Sequence, residues 1–173
     1  MKRTPWIERQ FAPETRPSMF PVVLERLRGT PARLEERLRG VPADVLTRQF
    51  EGGWSIQENA GHLLELEPLW LGRLDDFVAG ARVLRAADMT NKATFDARYN
   101  EKPIASILSE FRARRGESVA RLERLEDGIL VRIAEHPRLR QPMRVIDMMA
   151  FVAEHDDHHL ARISEILRSA EPA

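Results

Sequence analysis

Residues 145–167 read VIDMMAFVAEHDDHHLARISEIL. On a helix turning about 100° per residue, Val145, Met148, Met149, Val152, Leu160, Ile163, Ile166 and Leu167 share one face. His155 and His159 fall inside the same arc, at positions that leucines ordinarily fill. Four residues apart on one face, two imidazoles can be presented to a single ion. The plainer reading is a pair of neutral, hydrogen-bonded core histidines. That reading must satisfy four ring nitrogens, and each one buried without a partner costs about 1–3 kcal/mol. A divalent ion takes up two of them at once, and an open catalytic site needs three protein donors. His158 lies off the centre of the arc and Asp157 roughly opposite it.

Working back from this helix, three further segments keep a helical period. Leu24, Leu27, Leu34 and Leu38 mark one from about residue 18 to 39, with a kink or interruption expected at Gly29-Thr30-Pro31. Residues 40–53 form a connector with a short turn from Pro42. Ser55 with Glu58 reads as a capping box opening the next helix, whose buried stripe is Ile56, Ala60, Leu63, Leu66, Trp70, Leu74 and Phe77, with a bend at Pro68. The period is lost over residues 81–102 and resumes at Pro103 with Ile107, Leu108, Phe111, Val119 and Leu122. No strand alternation or repeat appears. An all-α four-helix bundle follows, with a connection between its second and third helices that is long for a bundle loop and forms a crossover or a lid. Residues 1–17, with Pro5, Pro13 and Pro17 around Trp6 and Phe11, read as an extended, non-helical arm docked by its aromatics on the single domain of residues 18–173.

The chain has 173 residues, enough for one substantial core without disulfides, and it has no cysteine. Any sulfur chemistry therefore needs a thiol from outside. Lys plus Arg and Asp plus Glu are 27 each, so no basic field favours nucleic acid. No apolar run is long enough for a membrane span, and the first residues lack a signal-peptide core; a cytoplasmic protein is expected.

A third donor should come from another helix, and His62, at the edge of the second helix's stripe, is the candidate; alone it reads equally well as a boundary histidine bonded to a carboxylate. His158 is either a group facing the ligands or substrate or an exposed flank residue. Asp156 and Glu67 lie within their helices' apolar arcs, to accept an imidazole N–H or to pair with an arginine. His136, before a proline, reads as a surface or loop residue. Glu58 is occupied by the cap.

WSIQENAGHLLELE (54–67) and EHDDHHLARI (154–163), with NKAT (91–94) and YNEKP (99–103) between them, resemble the DinB/YfiT-like superfamily of damage-inducible four-helix bundles, unrelated to the polymerase of the same name. The resemblance implies metal ligation by His62, His155 and His159, a divalent transition metal such as zinc or nickel, up-down-down-up topology and a homodimer. It also implies chemistry with a low-molecular-weight thiol such as bacillithiol, mycothiol or glutathione. The expected function is metal-dependent thiol S-transfer, or hydrolysis, on small electrophiles; the alternatives are a non-catalytic metal- or ligand-binding stress-response protein and a purely structural bundle. Asp88, Asn91 and Tyr99 would either line the entrance to the site or only cap and order the connection.

Overall fold

The computed structural model describes residues 3–12 and 14–170. Helix α1 spans Phe20–Leu38, followed by the short α2, Ala43–Thr47. The second long segment is α3, Ile56–Glu65, and α4, Glu67–Val78, broken at Leu66 just ahead of Pro68. Short α5, Lys92–Asp96, lies in the connection to α6, Ile104–Leu122. A turn of helix, α7, Asp127–Leu130, leads to strands β1, Ile133–His136, and β2, Gln141–Arg144, and then to α8, Val145–Ala170.

The Ser55 capping box is complete: the Ser55 hydroxyl accepts from the Glu58 N–H, and the Glu58 carboxylate accepts from the Ser55 N–H. Pro31, where a kink or break was expected, sits inside an unbroken α1. A helical proline leaves the carbonyl four residues earlier without its donor. Here that carbonyl belongs to Leu27, and the Arg115 guanidinium donates to it at 3.2 Å.

Cross-helix bonds give the directions. Arg28 reaches Glu123 and Arg112 reaches Glu35, so α1 and α6 are antiparallel. Arg26 reaches Glu154 and Arg37 reaches Ser164, so α1 and α8 are parallel. Asn59 meets His159 and Arg73 meets Met148, which sets α3–α4 against α8. The bundle is up-down-down-up, and residues 79–103 cross over between two parallel helices.

The hairpin of β1 and β2 corrects the expectation of no strands. It pairs Ile133 with Arg144 through His136 with Gln141, and Val83 from the crossover adds a parallel bridge to Glu135. Four-residue strands are too short to show a period. Residues 1–17 are also not wholly extended, having 3-10 turns at Trp6–Glu8 and, overlapping their end, Pro17–Met19. The Trp6 ring lies 4.8 Å from Phe11 and 4.9 Å from Phe151 on α8.

The apolar core forms two clusters, one around Leu27, Trp70, Phe77 and Met148, the other around Leu34, Ile56, Phe111 and Ile163. Charged residues lie buried inside the same bundle. Arg115 bonds Glu67 at 2.8 Å and Asp156 at 2.5 Å, Thr30 donates to Asp156 and Ser118 donates to Glu67. Both carboxylates are wholly buried.

Candidate metal centre and its cavity

The three donors arrive from two antiparallel helices. His62 comes from the second turn of α3, and His155 and His159 come from one face of α8. One ring nitrogen from each falls within 4.8 Å of the other two. The Nε2 atoms of His155 and His159 are 3.2 Å apart. Two nitrogens bound at about 2.05 Å to one tetrahedral ion stand about 3.3 Å from each other. The pair therefore has a spacing that one ion accommodates.

Hydrogen bonds orient the rings. The Asn59 amide donates to the carbonyls of Ser55 and Trp54, which turns its oxygen toward His159, whose Nδ1–H donates to it at 2.8 Å. The Nε2 lone pair of His159 is thereby free. His62 Nδ1 meets the Thr94 hydroxyl at 3.0 Å, leaving its Nε2 for another partner. His155 Nδ1 is buried and has no hydrogen-bond partner among the described residues. Trp54 lies 4.6 Å from His62 with the rings tilted, and the Trp6 and Trp70 rings close over His155 at 4.9 and 6.0 Å.

Burial sets the charge state. Desolvation pushes the His62 imidazole down to about 4. It carries His155 and His159 well below the usual histidine range, with neighbouring histidines adding to the effect. Three neutral imidazoles with converging lone pairs are a donor set that a divalent first-row ion fits. The same shifts dictate an acid-sensitive fold. In the unfolded chain these rings take up protons at about pH 6.5, but the folded protein resists doing so until much lower pH. Stability of the metal-free protein is therefore full above about pH 6.5 and falls as pH drops toward 4, by about 1.4 kcal/mol per pH unit for each such histidine. Urea midpoints across that range check this; a flat profile would mean that the rings are not held neutral.

The histidines lie against a cavity of about 450 Å³ whose other walls include Trp6, Trp54, Trp70, Phe151 and the crossover residues 86–89 and 91. Asp88 and Asn91 line it. Asp88 also orders the loop, accepting from the N–H groups of Thr90 and Lys92 and from the Thr90 hydroxyl. Asn91 has a left-handed backbone, φ 55°, at the start of α5. Tyr99 does not border the cavity. Its ring packs on Gly61, where a Cβ would stand 2.2 Å from it, and its hydroxyl donates to Glu65.

His158 is buried at the cavity edge and bonds the Arg3 guanidinium at 2.6 Å; desolvation, then Arg3 and Arg9, push it down to about 4. Asp156 and Glu67 bond Arg115, so the arginine pairing prevails over an imidazole contact for both. His136 corrects the surface reading: it ends β1, is 2 % exposed and lines the cavity. Trp6, Asn59, Thr94, Arg73 and Arg138 are contributors that periodicity did not mark. The isolated aromatic Trp6 and the polar Asn59 on the face shared with His62 were the available signals.

No helix among the described residues is long and apolar enough to cross a membrane. A comparison with curated proteins returns no match. Among solved structures, YfiT from Bacillus subtilis, described as a probable metal-dependent hydrolase with an unusual four-helix bundle topology, superposes with a TM-score of 0.80. The two share 19% identity, with 94% of this chain and 93% of that one covered, a likeness that shows the fold. The sequence pattern of the DinB superfamily matches residues 26–163, a span holding all three clustered histidines and the bundle that positions them. By that match, over most of its length, the chain belongs to the DinB superfamily.

Proposed function

We propose that this chain is a metal-dependent enzyme in which His62, His155 and His159 hold one divalent ion, zinc or nickel, at the wall of a cavity sized for a small electrophile. The observation that carries the reading is the convergence of three buried, neutral imidazoles on a lined cavity. When bound, the ion supplies Lewis acidity and lowers the pKa of a ligand in its open position. The chain's own residues do the rest. Asn59 and Thr94 fix the His159 and His62 rings. Trp6, Trp54 and Trp70 displace water from the neighbourhood. Asp88 is the sole carboxylate of the lining among the described residues and is committed to Thr90 and Lys92.

The cavity thus offers no free carboxylate as a general base. A nucleophile there would lose its proton through the ion's effect on its pKa, and a thiol, more acidic than water, needs less of that help, so thiol S-transfer is the reaction we assign, with hydrolysis as the competing outcome. In the wider reading, residues 1–17 are an arm and residues 18–173 a single bundle domain, a division supported by Trp6 and Ile7 in the wall of the site. We take the protein to act in the cytoplasm as a homodimer, for which exposed Met19 and Val22 near the start of α1 offer apolar surface; a monomer in sedimentation would remove the dimer from the reading.

The test is turnover of an aryl epoxide and an aryl ester with and without a panel of thiols, before and after chelation. Thiol-dependent product that chelation abolishes and added zinc or nickel restores is the expected result. Ester cleavage without thiol would assign hydrolysis, and stoichiometric metal binding without any turnover would leave a binding protein.

A further inference from the structure

Beyond the histidines, the cavity has a second polar corner made of Arg73 on α4, His136 at the end of β1 and Arg138 in the hairpin turn. Arg73 is 1 % exposed, yet neither it nor Arg138 forms an ion pair with any described carboxylate, in a protein whose other buried arginine, Arg115, has two. Burial of an unpaired charge is costly. The compensation from within the chain is incomplete. Arg73 Nε donates to the Arg85 carbonyl, and its Nη1 points at His136 Nε2 at 3.1 Å. The Leu139 N–H points at the other nitrogen of the same ring at 3.2 Å. A neutral imidazole has one lone pair, so the ring satisfies only one of these two donors, and the other acceptor near Arg73 Nη1 is the weak one of the Met148 sulfur at 3.8 Å. Arg138 Nη2 is buried with no hydrogen-bond partner among the described residues. The guanidiniums lie over Trp70 at 5.4 Å and Phe151 at 6.0 Å, contacts that offset only part of the cost. Desolvation lowers Arg73 to about 10, with Arg138 adding to the effect and the more distant Asp76 opposing it, and burial lowers Arg138 as well.

We propose that Arg73 and Arg138 form an oxyanion subsite, and that the substrate carries a carboxylate or phosphate ester bound there, an apolar body across Trp70 and Phe151, and its reacting group at the three histidines. The dimensions suit one small molecule. Trp70 touches both ends, its ring 5.4 Å from Arg73 Cζ and 6.0 Å from the His155 ring, so the ends are separated by no more than those two distances combined. Guanidinium is the cation suited to a two-point contact with an oxyanion. The placement of the reacting group rests on the metal-enzyme reading; the anion subsite is tested without it.

The experiment is calorimetric titration of metal-stripped protein with phenylpropionate, phenylethyl phosphate and the neutral phenylpropionamide. At least one anion should bind about tenfold or more tighter than the amide. Arg138→Gln should erase that preference while Arg138→Lys keeps part of it, both with unchanged metal uptake and with a melting temperature no lower than that of the wild type. Which anion binds tighter identifies the headgroup. The subsite is overturned if the amide binds as well as both anions, if no anion binds at about 10 mM, or if the preference survives in Arg138→Gln. Elemental analysis of unstripped protein reads the other question separately: anion preference without any bound metal would sink the enzyme and leave the subsite standing.

Discussion

Arg115→Ala is expected to cost about 3–5 kcal/mol of stability, the range for breaking a buried charge network by removing one member. Glu67 and Asp156, both wholly buried, would lose their shared cation, and desolvation already pushes the Glu67 carboxyl upward even with Arg115 beside it. The Leu27 carbonyl that Pro31 leaves without a helical donor would lose its substitute at the same time. Urea unfolding measures the loss. The triple replacement Arg115→Met, Glu67→Leu and Asp156→Leu should recover most of it, because an apolar layer of similar volume has no stranded charge. A loss below about 1 kcal/mol for Arg115→Ala would mean that the carboxylates take up protons at little cost and the network is not what it looks like.

The second large effect concerns metal retention. His155→Ala should weaken metal binding by more than about 100-fold, since even changes outside the ligand set commonly cost about 10–100-fold. Metal content after dialysis reads this directly, and His158→Ala is the control expected to retain the ion. In metal-free protein the same position is a weak point of the fold, because His155 Nδ1 is buried without a partner among the described residues. His155→Leu should therefore be no less stable than the metal-free wild type. Equal metal content in His155→Ala and wild type would remove the three-histidine assignment.

The parts of this molecule that could be read from residue order are those where chemistry and periodicity coincide. Ser55 and Glu58 announce a helix start because the cap is a local event within one turn. His155 and His159 share a face because four residues is close to one turn, whatever else the chain does. The hairpin at 133–144 escaped because each strand is four residues long and depends on Val83, some fifty positions away, for part of its edge. His136 reads as a loop residue on the same ground, its burial being a product of tertiary packing against Phe151 and Arg73. Asp156 and Glu67 were visible as inward-facing acids, but only three-dimensional structure shows that a single arginine on α6 serves both. Pro31 misled because its missing hydrogen bond is replaced from another helix.

The wall and the donors of the cavity come from distant parts of the chain: Trp6 lies against His155, and His62 meets a pair supplied by α8. During synthesis, the donors at 155 and 159 are made about a hundred residues after His62, and a product that stops short of them has only one of the three clustered imidazoles. On the proposed three-histidine assignment, metal capture is a late event in the life of each molecule, and a chain cut between Leu122 and Val145 would both miss a bundle helix and lack two of the three donors. Metal-dependent activity would in that sense be a certificate that the entire bundle has been made and assembled.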